Sequence, residues 1–347
     1  MSATTPPLLR RHPANPVLTC KQAPFPATLV FNAGVIRHEG RYVMVFRNDI
    51  GTWGSGVLTG TNTGLATSAD GVRWEVFPRP IIDPEKMRRE LRDLMRHDYP
   101  PDFIQRIYDP RLTVVGGRVL MCFAIDTAHG ICGGVAAATD DLETFEWLSV
   151  TSPDNRNMVL FPEKIGGRYV RLERPFPVYM RPEPEAFPIW LSESPDLAYW
   201  GRNRPVLGCD EVPFANSKIG PAAPPVRTRA GWLTPFHAVH YDPSRRLAGW
   251  EAKSWHKTYC AGLMLLDLEN PARVTGLMRT PLLAPETDYE LEGFRGGVIF
   301  PCGFIAEPDG SVKLYYGAAD SVVALATGNI EDLIARCEPF KRNESKN

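Results

Sequence analysis

The chain of 347 residues is 44% hydrophobic and 23% charged, and its acids and bases nearly cancel to a formal net charge of -1. That balance supports a sizeable core and excludes the basic face that a nucleic-acid partner requires, while no apolar run approaches the roughly 18 residues of a membrane span. The opening Met1-Ser-Ala-Thr-Thr-Pro-Pro-Leu-Leu-Arg10 lacks the apolar stretch of a secretory signal, and the seven cysteines are scattered with no CxxC pair, so a reducing, cytoplasmic setting is expected.

In chain order, five units of one design follow. Each has a glycine-led strand that runs into a polar residue, and then a second stereotyped strand. Unit one is Gly40 to Arg47 with Gly64 to Trp74. A break comes next: 84–97 carries Met87, Leu91, Leu94 and Met95 at helical spacing, which predicts a short amphipathic helix inserted between units one and two. It packs on its own fold or serves as a subunit contact, so a homo-oligomer stays open. Unit two is Gly117 to Asp126 with Gly134 to Phe145, and unit three is Gly167 to Arg174 with Ile189 to Trp200. Unit four, Gly231 to His237 with Gly262 to Leu268, is interrupted by a polar loop, 241–257, containing Trp250 and Trp255. Such a loop either lines a pocket mouth or is simply solvated. Unit five is Gly310 to Asp320 with Val323 to Ile330. Cys122, Cys260 and Cys302 fall inside apolar strand patterns and read as small buried hydrophobes. Five such repeats, over about 30–335, predict an all-β chain folded as a five-bladed β-propeller, a single domain over 1–347 with one short inserted helix.

An innermost strand should precede each glycine-led one, and four of these begin with polar residues: Asn32, Asp109 with Arg111, Arg156 with Asn157, and Lys218. Innermost strands start, and the antiparallel second strands end, at the same rim of the axial channel. The second strands add Arg47, Asn48, Asp49, Asp126, Arg174, His237 and Asp320 to one cavity. Taken singly, each is as well explained by a turn cap or ion pair, Arg111 and Asp126 above all. As a set they are not, because gathered cations are costly without an anion. Arg156, Arg174, Lys218 and His237 suit a phosphate or sulfate. Asp49, Asp109 and Asp320, with the asparagines, suit sugar hydroxyls. A sugar site facing an anion site suggests glycosyl transfer to or from phosphate. No histidine spacing supports a metal.

The segments Phe46-Arg-Asn-Asp49, Tyr108-Asp-Pro-Arg111, Asn155-Arg-Asn157, Ser217-Lys-Ile-Gly220 and Tyr316-Gly-Ala-Ala-Asp320 resemble glycoside hydrolase family 130, in order, from about Asn15 to Ile334. The Phe-Arg-Asn-Asp form, Gly60-Thr-Asn-Thr-Gly-Leu65 and Tyr289-Glu-Leu-Glu-Gly-Phe294 look most like its 4-O-β-D-mannosyl-D-glucose phosphorylase branch. The resemblance implies a five-bladed propeller that phosphorolyses a β-1,4-mannosyl disaccharide, mannosyl-glucose preferred, with inversion to α-D-mannose 1-phosphate. It implies Asp109 as the sole general acid, delivering its proton through the mannosyl 3-hydroxyl. Arg156, Lys218 and His237, with Arg174 as a fourth, match phosphate positions. Asn32, Arg47, Asn48, Asp49, Asn157 and Asp320 match positions around the mannosyl unit. No cofactor is implied beyond inorganic phosphate as co-substrate; the partners are a small β-mannoside and phosphate, with no nucleic acid and no membrane.

Departures from the family pattern fall around the anion and leaving-group sides: Pro221 and Ala222 after Lys218, a second histidine at His240, and the long 241–257 loop. Rival readings are a β-mannosidase of the same family, a phosphorylase for mannobiose, mannooligosaccharides or mannosyl-N-acetylglucosamine, an arabinanase- or invertase-like hydrolase, and a sugar-binding propeller without turnover.

Overall fold

The computed structural model describes residues 7–91, 103–176, 185–245, 249–250 and 255–342. They form five antiparallel sheets arranged as the blades of a propeller. Blade one is Leu29–His38, Arg41–Gly51, Leu58–Ser68 and Glu75–Val76; blade two is Ile104–Val115, Arg118–Thr127, Gly130–Ala138 and Phe145–Val150. Blade three is Asn155–Leu160, Tyr169–Pro175, Ile189–Ser194 and Gly201–Leu207. Blade four is Lys218–Pro221, Trp232–Tyr241, Lys257–Leu266 and Val274–Leu277, extended outward by Glu338–Pro339. Blade five is Ile299–Ala306, Ser311–Ala318 and Val322–Asn329, completed by the N-terminal Leu9–Arg11.

Two local rules produce the repeat. The glycine that leads a second strand closes a tight turn from the innermost one: Gly40, Gly117, Gly167 and Gly310 have φ of 78°, 82°, 78° and 83°. In three of these turns the preceding residue is also left-handed (Glu39, Gly116, Gly166), the pattern whose twist matches paired strands. The glycine in the third strand makes room for a ring. Gly64, Gly134 and Gly262 sit directly across from Phe46, Phe123 and Phe236, and a Cβ on any of them would meet that ring at 2.2–2.3 Å.

Leu9–Arg11 pairs with Val322–Asn329, so the first strand of the chain closes the last blade. Arg11 then grips the fully buried Glu290 through Nε and Nη2, both at 2.8 Å, and the Tyr316 hydroxyl donates to the same carboxylate at 2.8 Å. The Glu290 carbonyl accepts the Gly297 and Val298 amides. Ring closure therefore also pins the loop that carries Phe294 and Arg295 to the axial cavity.

The inserted helix spans Pro84–Glu90, with Asp83 capping the Lys86 amide at 2.7 Å and proline in its first turn. Met87 and Leu91 are fully buried among Ile81, Ile104, Ile107 and Met121. The remainder of the expected insert, Leu94, Met95 and His97 included, lies outside the described residues. No described helix is long and apolar enough to cross a membrane.

Candidate active site

At the rim where innermost strands begin, three blades break register at the same place: between Phe31 and Gly34, Tyr108 and Arg111, and Arg156 and Val159. The residues in these bulges, Asn32, Asp109 and Asn157, have φ of 47°, 54° and 58°. A left-handed L-residue costs about 1–2 kcal/mol, least for Asn and Asp, and such strain gathers at functional sites. A bulge re-aims a side chain, and here all three side chains line one axial cavity of about 180 Å³. Blade five contributes Asp320, also left-handed at φ 49°, from the turn after its second strand.

Asp109 is held from one side. Its Oδ1 accepts Asn32 Nδ2 at 2.9 Å and Arg47 Nη1 at 3.4 Å, while Oδ2 has no hydrogen bond among the described residues. Arg47 is oriented by Asp49, which takes Nε at 2.9 Å and Nη2 at 2.6 Å; Thr61 donates to the same carboxylate at 2.9 Å. The guanidinium also lies over the Phe31 and Tyr108 rings, 4.6 and 5.0 Å from their centres. Burial alone would raise the Asp109 pKa, but the charges of Arg47 and Arg111 and the Asn32 bond outweigh it and hold the carboxyl below its ordinary range. Without ligand Asp109 is a carboxylate.

The facing wall is cationic. Arg156 and Arg174 are direct cross-strand partners in blade three, an arrangement that like charges disfavour. His237 joins them from blade four, opposite Gly220, where a Cβ would approach the imidazole to 2.4 Å. Neither His237 nitrogen, nor the Nε of Arg156 or Arg174, has a hydrogen-bond partner among the described residues. Burial, then the charge of Arg156, pushes the Arg174 pKa down to about 9. Burial, then Arg174, pushes Lys218 well below its ordinary value. His237 is lowered likewise, by burial first and then by Arg174 and Lys218, so its imidazole is neutral. Buried cations and donors left unpaired are unfavourable until an anion arrives, and this donor set fits a tetrahedral oxyanion.

The expected site residues do not all reach the cavity. Asn32, Arg47, Asp109, Arg156, Asn157, Arg174, His237 and Asp320 line it. Asn48 does not: its amide donates to the Pro26 carbonyl at 3.0 Å and to Asn62 at 2.8 Å, because neighbours on a strand point to opposite faces. Asp49 supports Arg47 from outside the lining. Lys218 is buried with its Nζ 5.9 Å from the centre of the Tyr259 ring, also outside the lining, and His240 is exposed. Arg111 is fully buried and donates to the carbonyls of Ala222, Asp109 and Pro110, a structural clasp beneath the acid.

Asp126 also acts behind the lining. It accepts the Tyr108 hydroxyl at 2.7 Å and Arg106 Nε at 2.5 Å, and the same hydroxyl accepts Arg156 Nη1 at 3.2 Å. Burial pushes the Tyr108 pKa up to about 12, so it keeps its proton. Lining residues that the repeat pattern did not single out include Arg106, Tyr108, Tyr259, Phe294, Arg295 and Phe300; Arg295 Nη1 stands 3.2 Å from Asp320 Oδ2. Trp255, from the long blade-four loop, lines the cavity as well. Among the described residues no group of three His, Cys, Asp or Glu could hold a metal ion.

Comparison with known proteins identifies the family. A family model of glycoside hydrolase family 130, described as β-1,4-mannooligosaccharide phosphorylase, matches residues 6–338. The chain is similar to a β-1,4-mannooligosaccharide phosphorylase of Ruminococcus albus, 30% identical over 330 residues, 93% of this chain and 89% of that one. A 1,2-β-oligomannan phosphorylase of Thermoanaerobacter sp. is 29% identical over 333 residues, 94% of this chain and 98% of that one. A 4-O-β-D-mannosyl-D-glucose phosphorylase of Bacteroides fragilis is 26% identical over 321 residues, 88% of this chain and 74% of that one. The solved β-1,2-mannobiose phosphorylase of Listeria innocua shares the fold at a TM-score of 0.76 and 23% identity, covering 95% of this chain and 99% of that one. The chain belongs to glycoside hydrolase family 130 and is an enzyme of its mannoside-phosphorylase type.

Proposed function

We propose that the protein phosphorolyses β-1,4-mannosides with inversion, releasing α-D-mannose 1-phosphate and a free sugar. One observation carries the reading: a buried, unneutralised set of anion donors (Arg156, Arg174 and His237) faces one carboxylate, Asp109, with an oxygen free for the substrate. An inverting hydrolase needs a second carboxylate to activate water. Of the described carboxylates only Asp109 and Asp320 line the cavity, and Asp320 is paired with Arg295. Phosphate is itself an anionic nucleophile and needs no base.

In this reading Arg156, Arg174 and neutral His237 hold phosphate, with Lys218 adding charge from behind. Asn32, Arg47, Asn157 and Asp320 hold the mannosyl ring; Asp49 contributes by fixing Arg47. A phosphate oxygen bonds to C1 as the C1–O glycosidic bond breaks on the opposite face, and the departing oxygen takes the proton of Asp109, directly or through a sugar hydroxyl. Asp109 is a carboxylate in the free protein, so it takes up that proton once the dianion offsets the neighbouring guanidinium charges.

The relatives span β-1,2 and β-1,4 linkages. The mannosyl-glucose preference rests on the Phe46–Asp49 and Tyr289–Phe294 motifs. Because the Ruminococcus relative is more similar than the Bacteroides one, we place β-1,4-mannooligosaccharides ahead of mannosyl-glucose. The test is proton NMR of the products from mannobiose, mannotriose and mannosyl-glucose with phosphate. An α-configured mannose 1-phosphate from the first two, formed faster than from the third, is the expected result. A β-anomer would overturn inversion, and faster use of mannosyl-glucose would reverse the substrate order.

A further inference from the structure

We propose that Trp53 and Trp250 form a stacking platform at the cavity mouth for a second acceptor ring, so that the enzyme favours mannosides of three or more units over disaccharides. This rests on the phosphorylase reading above and extends it outward from the reacting bond.

The cavity is the first argument. At about 180 Å³ it is smaller than the roughly 300 Å³ at which pockets begin to enclose drug-sized ligands. In the reading above it has room for little more than one sugar ring beside the phosphate, so the rest of the substrate leaves through the mouth. Leu58 from blade one and Phe294 from the blade-five loop are apolar members of the cavity lining.

Blade one differs from its neighbours at this rim. Asp49 and Asp126 occupy matching places near the ends of the second strands of blades one and two. Blade two turns back at once, pairing Thr127 with Gly130. Blade one continues to Gly51 and pairs it with Leu58 across an intervening turn, 52–57, which carries the hairpin tip past the cavity. Among the described residues only four large apolar side chains are notably exposed, and this tip holds two of them, Trp53 at 56% and Val57 at 58%.

Trp53 is placed rather than loose. Its ring centre is 4.5 Å from that of Trp250, edge to face at 64°. Trp250 reaches this point from the blade-four loop, with its amide donated to the Phe294 carbonyl at 3.0 Å, and packs with Leu58 and Phe294 in one apolar cluster. Two indoles thus continue the Leu58–Phe294 wall into solvent, one side chain beyond the enclosed ring. A β-mannosyl ring carries its C1, C3 and C5 hydrogens on one face, an apolar surface suited to an indole, while its hydroxyls remain in water. A bare hydrophobic patch at a polar mouth otherwise has no stabilising role.

The experiment compares kcat/KM for β-1,4-mannobiose, mannotriose and mannotetraose at saturating phosphate in the wild type, Trp53→Ala and Trp53→Phe. The wild type should prefer the tri- and tetrasaccharide. Trp53→Ala should reduce that preference about two- to tenfold, the range of an aromatic packing contact, and Trp53→Phe should restore most of it. An unchanged preference in Trp53→Ala, or a wild type that favours mannobiose, overturns the platform while leaving phosphorolysis intact. Absence of phosphate-dependent turnover of any mannoside by the wild type overturns the reading beneath it, and the platform with it.

Discussion

The Tyr108 hydroxyl donates to Asp126 at 2.7 Å and accepts from Arg156 at 3.2 Å, linking a carboxylate behind the cavity to a guanidinium inside it. Arg106 holds the other oxygen of Asp126 at 2.5 Å and lies 4.7 Å from the centre of the Tyr108 ring. The relay orients Arg156 from a residue that does not border the cavity.

Weakening that relay should act on phosphate and spare the sugar. Asp126→Asn and Tyr108→Phe should each raise the KM for phosphate about fivefold, corresponding to loss of one net hydrogen bond of ~1 kcal/mol. The double variant should be no worse than either single one, since both break one chain. Steady-state kinetics with each substrate varied separately checks this; equal changes in the mannoside KM would contradict it.

Asp109→Asn should lower kcat by about 10²–10⁴-fold while mannoside binding, followed by calorimetry, persists. The amide can still accept the Asn32 bond at the position of Oδ1. Turnover near the wild-type rate would remove Asp109 from the acid role.

The pH dependence of phosphate affinity follows from the cation cluster. Burial and neighbouring charge lower the pKa values of Arg174, to about 9, and of Lys218 in the free protein. A bound dianion pulls both back up, so the complex retains protons that the free protein releases. Affinity is therefore fully present below the free-protein values and is lost as pH rises through them. The KM for phosphate should climb as pH is taken toward 9 and above; a flat or falling KM across that range would contradict the assignment.

The same strain should appear in stability. Lys218 is buried with no ion pair among the described residues. Replacing it with the similarly long Met should stabilise the ligand-free protein by about 1 kcal/mol or more and raise Tm. It should also raise the phosphate KM and reduce, relative to wild type, the Tm gain expected on adding phosphate. A lower Tm would mean that Lys218 is a structural partner instead.

Much of this was legible in the sequence, for physical reasons. Glycines at the turns and across from Phe46, Phe123 and Phe236 are steric necessities repeated in each blade that has them, so the propeller shows through a chain with few identical repeats. Strand ends converge on an axis, and Asp109, Arg156, Arg174 and His237 line one cavity. At Arg47-Asn-Asp49 only Arg47 lines the cavity, and period-two alternation along the strand is the signal that separates it from Asn48. Arg106, Tyr259, Arg295 and Phe300 line the cavity with no repeat signal in the sequence. These reach the cavity from the first blade-two strand, a third strand, a loop pinned by Glu290 and an innermost strand, and none of them stands at the repeat's polar position. The left-handed bulges at Asn32, Asp109 and Asn157 left only a faint trace, an Asn or Asp within a run that otherwise reads as strand.

In the proposed reaction phosphate, and not water, attacks the mannoside. The most direct measurement is sugar release from β-1,4-mannobiose and mannotriose by the purified enzyme with and without inorganic phosphate, with mannose 1-phosphate quantified alongside. Release should occur only when phosphate is present, matched one for one by mannose 1-phosphate. Equal release without phosphate, with free mannose in place of mannose 1-phosphate, would make the protein a mannosidase and leave the buried cations of blades three and four unexplained.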